Sequence, residues 1–178
     1  MHPRLTVLRQ PRSRKELDRL HAIRRSEIFD RYHPPATEWW VPYDPDHPDD
    51  RDPRHRALVQ MLDGEVVGTC RVDALHGDRA ALRLVAVDPR WRGQGLGAEL
   101  VEAAEEVALG LGAELLCLNA QPSVTAFYGR LGFVPQAWAG SSRCRRSVPM
   151  AKLLRAGLPA GVPPSWLGAA PDPRPKLA

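Results

Sequence analysis

The sequence lacks long hydrophobic runs and contains few cysteines. No apolar stretch approaches the roughly 18 residues that a membrane-spanning helix requires. The N-terminus has no apolar stretch of about 7–15 residues behind a basic start, which a secretory signal would show. Cys70, Cys117 and Cys144 form no Cys-x-x-Cys pair, which favours small core residues over a disulfide framework. We therefore expect a soluble, cytoplasmic protein that does not enter a membrane.

Signals for metal ions and nucleic acids are also weak. The histidines occur in no His-Glu-x-x-His motif and no zinc-type spacing with cysteine, so no metal is predicted. The net charge is +4, but the basic residues are scattered and no aromatic and basic platform accompanies them, so we expect no nucleic-acid partner. One basic cluster fits either an anionic partner or a solvated strand face; it comprises Arg143, Arg145, Arg146, Lys152 and Arg155.

The length of 178 residues suits a single globular domain. We place this domain at residues 1–156 and a proline-rich, flexible tail at residues 157–178. Residues 33–54 are dense in proline and aspartate, which leaves no regular element intact and predicts a long loop or a broken helical segment. Such loops inside a compact domain are usually functional or disordered.

Hydrophobic periodicity and turn residues predict a mixed order of elements. Ser13 and Glu16 form a capping-box signature, and Asp63-Gly64 predicts a two-residue hairpin turn. The predicted strands are 5–9, 56–62, 65–72, 79–87, 114–119, 133–138 and roughly 144–154, and the predicted helices are 13–30, 96–109 and 124–131, the last capped by Ser123. A crossover helix makes 79–87 and 114–119 parallel. The fold class is therefore α/β (α+β), a mixed sheet with helices on both faces.

The most informative segment is Arg92-Gly93-Gln94-Gly95-Leu96-Gly97, which lies between a buried strand and the start of a helix. Glycines let the backbone approach a ligand, and successive amides at a helix N-terminus form an anion site suited to a pyrophosphate. A P-loop is excluded because Ala98-Glu99 follows Gly97. A Rossmann fingerprint is weak because the spacing is Gly-x-Gly-x-Gly and the next strand ends in Asn119. A tight turn that only packs strand against helix stays an alternative.

Together with two later motifs, this segment resembles the GNAT superfamily of acyl-CoA-dependent N-acetyltransferases. The resemblance rests on Arg-x-x-Gly-x-Gly at 92–97 after Val-Ala-Val, on the strand ending in Asn119, and on Ala-Phe-Tyr-Gly-Arg-Leu-Gly-Phe at 126–133. It covers residues 55–152 well and the helix near 13–30 more loosely. It implies a largely antiparallel central sheet with one splayed parallel strand pair. Dimers are common among relatives, so a homodimer is one expectation.

The resemblance implies how the cosubstrate, acetyl-CoA, would be bound. The backbone amides of residues 93–98 would hold the pyrophosphate, with Arg92 leading the motif. Val85 and Val87 would present backbone groups to the acetyl carbonyl and the pantetheine arm. An amide aimed at the thioester oxygen would stabilise the charge that develops there. The implied cofactor-binding residues are Val85, Val87, Arg92, Gly93, Gln94, Gly95, Leu96, Gly97 and Ala98.

Two catalytic residues are also implied by the resemblance. Tyr128 matches the tyrosine that protonates the departing thiolate in many relatives, with a core aromatic as its alternative interpretation. In the helical period, Val124, Phe127 and Leu131 would form the core stripe, with Tyr128 about 100° away from Phe127. Asn119 would contact the pantetheine or the acceptor, or else would hold loop backbone.

The strand at 79–87 departs from the family pattern. Many relatives carry a carboxylate there as the base, whereas this strand has only Arg79 and Arg83 as charged residues. The base is therefore unassigned, and a water relay, Asp52, His55 and Asp73 are the alternatives. The aspartates within 44–52 fit either a cationic acceptor, such as a polyamine, an aminoglycoside or a basic N-terminus, or a solvated loop on the substrate side.

The sequence thus predicts an N-acetyltransferase. It would move acetyl from acetyl-CoA directly to a primary amine of a small molecule or peptide in a ternary complex. A noncatalytic acyl-CoA-binding regulatory module is the alternative from another class, and an arginine-rich nucleic-acid binder ranks last.

Overall fold

The computed structural model describes residues 6–32, 42–141 and 147–154. Its strands are β1 (Thr6–Arg9), β2 (His55–Leu62), β3 (Glu65–Ala74), β4 (Arg79–Val87), β5 (Leu115–Ala120), β6 (Val134–Pro135) and β7 (Val148–Leu153). Its α-helices are α1 (Arg14–Arg24), α2 (Asp30–Tyr32), α3 (Leu96–Gly110) and α4 (Thr125–Arg130). A π-helical turn, Arg25–Phe29, joins α1 to α2, and short 3₁₀ turns lie at Pro48–Asp50, Pro89–Trp91 and Pro122–Val124.

Within these residues, the strands form one open sheet in the order β1-β2-β3-β4-β5-β7-β6. β4 and β5 are parallel, and every other neighbouring pair is antiparallel. The predicted fold class, a largely antiparallel mixed sheet with one parallel pair, is therefore confirmed. The predicted hairpin between β2 and β3 is also present, with positive φ at both Asp63 and Gly64, as a type I′ turn requires.

Helices cover both faces of the sheet, as predicted. Adjacent residues of β2 point to opposite faces, so Leu58 joins the core under α3 and Val59 joins the core under α1. On the α3 face, Leu100, Ala104 and Val107 of the helix pack in the same cluster as Leu58; each is fully buried. We name the two sides of the sheet the α3 face and the α1 face.

The parallel pair opens after three residues. β4 pairs with β5 only from Arg79–Ala81 to Leu115–Cys117, whereas β5 stays paired with β7 along its whole length. A bulge turns β4, because its register with β3 shifts between Arg71↔Arg83 and Thr69↔Ala86, and Leu84 within it has a φ of 53°. The two strands therefore diverge toward their carboxyl ends, which leaves an opening in the sheet that we call the splay.

The start of α1 is fixed by a charged cap. Ser13 Oγ accepts from the Glu16 amide at 3.2 Å, and the Glu16 carboxylate accepts from the Arg12 amide at 2.7 Å and from Arg9 at 2.8 and 2.9 Å. The predicted cap is thus present, although the Glu16 carboxylate accepts from the amide of Arg12, the residue that precedes Ser13. Hydrogen bonds from Arg9 and the Arg12 amide lower the pKa of Glu16 to about 2.

Replacing Glu16 by glutamine should make stability less dependent on pH. Because the pKa of Glu16 is lower in the folded chain than its ordinary value of about 4.3, its contribution is present above that value and disappears as the pH falls toward about 2. We expect a loss of about 1 kcal/mol at pH 6 that vanishes near pH 2, measured by chemical unfolding. Asp18→Asn, which removes the exposed pair with Arg14, is the control and should change stability little. Equal losses in the two variants would contradict this prediction.

Several local predictions were wrong. Ser123 does not cap α4; Val124 occupies that position without a side-chain cap, and a 3₁₀ turn that begins at Pro122 leads into the helix. β6 has only two residues where six were predicted, since the chain turns at Trp138–Ser141 to reach β7.

Other predictions fall partly beyond the described residues. Cys70 and Cys117 are buried free cysteines, as expected, and Cys144 lies outside the described residues. The same is true of the proline-rich tail and of the arginines of the basic cluster. Its one described member, Lys152, pairs with Glu105 at 2.6 Å. Among the described helices, none combines the length and the hydrophobicity needed to cross a membrane.

Candidate active site

The glycine-rich turn opens onto free space at the start of α3. Gly93 and Gly95 have φ values of 74° and 84°, and Gly95 is the N-cap of α3. A Cβ at either position would meet no atom within 4 Å. Among the described residues, the amides of Gly93, Gly95, Leu96 and Gly97 make no backbone hydrogen bond. Unpartnered amides at the positive end of a fifteen-residue helix form an anion site.

Two of the predicted cofactor-binding residues are already engaged within the chain. The Ala98 amide donates to the Gly95 carbonyl at 2.9 Å. Arg92 Nε donates to the Val87 carbonyl at 3.1 Å, and its Nη2 also contacts the Glu27 carboxylate. The Arg92 side chain therefore ties the turn to the end of β4 and to the π-helical turn. Val85 and Val87 are half-buried and lie on the part of β4 that has left β5.

Tyr128, and not Phe127, is the buried aromatic of α4. Tyr128 is 8% exposed, whereas Phe127 is half-buried and close to Gly97, where a Cβ would lie 3.3 Å from its ring. The predicted stripe of Val124, Phe127 and Leu131 does pack against the core cluster, but these side chains are only half-buried, whereas Tyr128 is a buried member of that cluster. Tyr128 contacts Phe127 and Phe133 edge-on, with ring centroids 5.0 and 5.7 Å apart.

The environment of Tyr128 keeps its phenol protonated. Burial raises the pKa of Tyr128 well above its usual value, and the proximity of Cys70 and Tyr32 adds to the effect. The Cys70 thiol is itself fully buried, which raises its pKa to about 12. A protonated phenol can donate a hydrogen bond or a proton, and a thiol with such a pKa does not act as a nucleophile at neutral pH.

Asn119 lies on β5, the opposite arm of the splay, two residues beyond Cys117, the last residue of β5 that pairs with β4. Its Nδ2 donates to the Gly140 carbonyl at 3.4 Å, which fits the interpretation that it holds loop backbone. Its Oδ1 is buried and has no hydrogen-bond partner. Buried acceptors are nearly always satisfied, so this oxygen is available to a ligand or an ordered water.

The carboxylates considered as a base are held by arginines. Asp52 is bound by Arg54 at 2.6 Å, and these hydrogen bonds lower the pKa of Asp52 well below its usual range. Asp73 lies between Arg71 at 2.7 Å and Arg83 at 2.8 Å. The Asp52 carboxylate is therefore a weak proton acceptor, and the Asp73 carboxylate is occupied by two guanidinium groups. His55 Nδ1 lies 2.7 Å from the Asp49 carbonyl oxygen and 3.7 Å from Asp73.

An arginine-aspartate network on the α1 face was not foreseen from the sequence. Arg24 is fully buried and bonds both oxygens of Asp50, at 2.9 and 3.0 Å, and Arg71 bonds Asp49, Asp50 and Asp73. The network attaches the Pro48–Asp50 turn to α1 and β3. Two sequence signals pointed to this network. Arg71 and Asp73 are charged residues at alternate positions of a largely apolar strand, and Arg24 follows Ile23, which lies on the apolar side of α1.

This network changes how the acidic loop is interpreted. Asp49 and Asp50 are neutralised by arginines of the chain, so they do not form a free acidic surface for a cationic acceptor. Asp49, His55 and Asp73 bring one potential ligand atom each within 4.8 Å of one another. A metal ion there would compete with the Arg71 guanidinium, which already bonds both carboxylates.

The sequence profile described as Acetyltransferase (GNAT) family matches residues 15–133. The chain belongs to this family. Its match covers β2 to α4, including the glycine-rich turn, Asn119 and Tyr128. The GNAT resemblance is thereby confirmed. The roles of the individual site residues stay predictions.

Comparisons with single proteins agree with the family. The chain is 32% identical over 109 residues to a mycothiol acetyltransferase of Nocardia farcinica, which is 60% of this chain and 34% of that protein. The chain therefore spans about a third of the length of this curated relative.

Solved GNAT structures share the fold. An acyl-CoA N-acyltransferase from Pseudomonas aeruginosa matches with a TM-score of 0.64 and 24% identity, over 84% of this chain and 99% of that one. The PaiA N-acetyltransferase of Thermoplasma acidophilum, solved with coenzyme A, matches with a TM-score of 0.65 and 17% identity over 84% and 99% of the two chains. At these identities the structures bear on the fold alone.

Proposed function

We propose that this GNAT protein transfers acetyl from acetyl-CoA directly to a primary amine of a small molecule or peptide. The observation that carries the proposal is the glycine-rich turn, whose amides at Gly93, Gly95, Leu96 and Gly97 make no backbone hydrogen bond among the described residues and which opens onto free space near the splay between β4 and β5. The amides of residues 93–97 would hold the pyrophosphate, and the pantetheine arm would enter the splay along Val85 and Val87. The relation to a structure solved with coenzyme A supports the choice of cosubstrate.

The proposed reaction moves one proton overall from the amine nitrogen to the sulfur of the leaving thiol. The amine nitrogen attacks the thioester carbonyl carbon, a C–N bond forms, and the C–S bond breaks. An amide aimed at the carbonyl oxygen stabilises the negative charge that develops there. The nitrogen loses its proton through ordered water, because both candidate carboxylates are paired with arginines. Tyr128 donates a proton to the departing sulfur and recovers one from solvent.

The test of this function is release of free thiol. Purified protein, acetyl-CoA and a panel of primary amines, including amino acids and polyamines, should release thiol above the rate of background hydrolysis for at least one acceptor. The acetylated amine should appear in equal amount by mass spectrometry. Tight acetyl-CoA binding by calorimetry without turnover would favour the noncatalytic acyl-CoA-binding module. The pairing of Asp52 and Asp73 with arginines is the observation that keeps this alternative under consideration.

Replacing Gly95 by alanine should weaken coenzyme A binding by at least about tenfold, a loss of about 1.4 kcal/mol. The added Cβ would occupy the open space at the N-cap of α3, and the φ of 84° would be strained. Gly112→Ala is a matched control, since Gly112 has a φ of 81° and an equally open Cβ position just beyond the other end of α3. Each substitution should cost about 1–2 kcal/mol of stability, but only Gly95→Ala should lower affinity in calorimetry. Equal affinities in the two variants would mean that the turn does not bind the cosubstrate.

A further inference from the structure

Arg83 presents a guanidinium at the splay, on the α1 face. It lies on β4 two residues beyond Ala81, the last residue that pairs with β5. Its Nε lies 2.8 Å from Asp73 Oδ2, and its side chain is 32% exposed. Among the described residues, neither of its terminal nitrogens has a hydrogen-bond partner. Arg83 thus has one side held by the protein and one side available.

The position of this guanidinium is fixed by an aromatic ring. The central carbon of Arg83 lies 5.5 Å from the centroid of the Trp138 ring. Trp138 is 8% exposed, and its Nε1 donates to the Leu118 carbonyl of β5 at 3.1 Å. Stacking on a ring that is itself bonded to the sheet limits the rotamers of the arginine. A side chain ordered in advance loses less entropy when it binds a ligand.

Asn119 faces Arg83 across the splay. Both residues lie two positions beyond the last parallel pair, Ala81 and Cys117, so both fall on the α1 face of their strands. The buried, unpartnered Oδ1 of Asn119 can accept from an N–H group. One arm of the splay therefore offers a cation with free donors, and the other offers an acceptor.

The surrounding charges favour a carboxylate as the ligand of Arg83. Asp73 is shared between Arg71 and Arg83, and Asp50 is shared between Arg24 and Arg71. Neither of these two carboxylates is therefore available to bind the terminal nitrogens of Arg83. A planar carboxylate matches the fork of a guanidinium. A phosphate dianion fits less well, because Asp73 already neutralises part of the Arg83 charge.

We propose that Arg83 binds a carboxylate of the acceptor, so that the acceptor is a free amino acid or a similar amine that carries a carboxylate close to its amino group. The inference rests on the proposed function, because it places the acceptor at the mouth of the splay where the thioester would lie. Arg83 is two residues from Val85 along β4, a span of at most about 7 Å, which is short enough for one small molecule to reach both places. Arg83 is thus a specificity-determining residue that touches substrate.

The test compares acceptors that differ only in the carboxylate. The pairs are tyrosine with tyramine, lysine with cadaverine, and alanine with ethylamine, each assayed with acetyl-CoA by thiol release. We expect at least one pair in which the amino acid has a kcat/KM at least about tenfold above that of its amine. Arg83→Gln should reduce this ratio to about one while leaving the KM for acetyl-CoA unchanged. Arg79→Gln, at the start of the same strand, is the control and should keep the full ratio.

A second variant distinguishes the loss of carboxylate recognition from a folding defect. Arg83→Lys keeps the charge but loses the fork, so it should retain part of the preference for the carboxylated acceptor. Turnover without any preference in the wild-type protein would overturn the acceptor inference and leave the acyltransferase function in place. A preference that survives in Arg83→Gln would likewise overturn it. Failure of every amine to release thiol would remove the proposed function and this inference together.

Discussion

Replacing Tyr128 by phenylalanine should lower kcat by more than about tenfold while acetyl-CoA affinity stays unchanged. The substitution removes only the hydroxyl, since the ring remains between Phe127 and Phe133. Burial raises the pKa of Tyr128, so the phenol of the wild-type protein stays protonated at neutral pH. Without it, the thiolate would have to leave unprotonated or take its proton from water.

The control for this prediction is Tyr32→Phe. Tyr32 is the other phenol close enough to Tyr128 to affect its pKa, so this variant tests which of the two hydroxyls serves the sulfur. We expect Tyr32→Phe to retain most of the turnover in steady-state kinetics. If Tyr128→Phe is as active as the wild type, Tyr128 is only a core aromatic. If Tyr32→Phe is the inactive variant, the proton donor has to be reassigned.

Replacing Asp50 by asparagine should destabilise the protein by about 3–5 kcal/mol. The carboxylate of Asp50 accepts from Arg24 at 2.9 and 3.0 Å and from Arg71 at 3.0 Å. Arg24 is fully buried, and Nε and Nη2 of its guanidinium already lack partners. Removing the carboxylate would leave this cation uncompensated in the interior. Urea unfolding at pH 7 measures the difference.

Asp46→Asn is the matched control, because Asp46 pairs with Arg51 on the exposed surface of the same loop. Such pairs contribute at most about 1 kcal/mol. Burial alone would raise the pKa of Asp50, but Arg24 and Arg71 outweigh it, so the pKa is lowered overall. The stabilisation by Asp50 is therefore present above its ordinary pKa of about 3.9 and disappears as the pH falls below it. Similar losses from Asp46→Asn and Asp50→Asn would show that the buried network does not hold the loop.

The correct sequence predictions concern neighbours along the chain. The Asp63-Gly64 turn, the Ser13 cap and the glycine turn before α3 each depend on the backbone preferences of a few consecutive residues. The parallel pairing of β4 and β5 was also predictable, because a helical crossover between two strands constrains their direction.

The predictions that failed depended on packing between distant segments. Periodicity placed Phe127 in the core stripe and left Tyr128 out of it, but Phe127 packs only half-buried against the core, close to Gly97, and the buried position belongs to Tyr128. The pairing of the acidic loop with arginines was not predictable either, because Asp50 is 26 positions from Arg24 and 21 from Arg71, and no local pattern brings them together.

The sequence by itself determined the family and the order of most elements, because motif spacing and backbone preference are local properties, and it predicted the place where a pyrophosphate would bind. Only the tertiary structure decided which charges are neutralised and which stay available. Asp50 is held by Arg24 of α1 and Arg71 of β3, and Asp73 by Arg71 of its own strand and Arg83 of β4, while the terminal nitrogens of Arg83 have no hydrogen-bond partner within the part of the chain that the structure describes. The free energy of a charge depends on its burial and on its partners, and both are set by contacts between residues far apart in the chain.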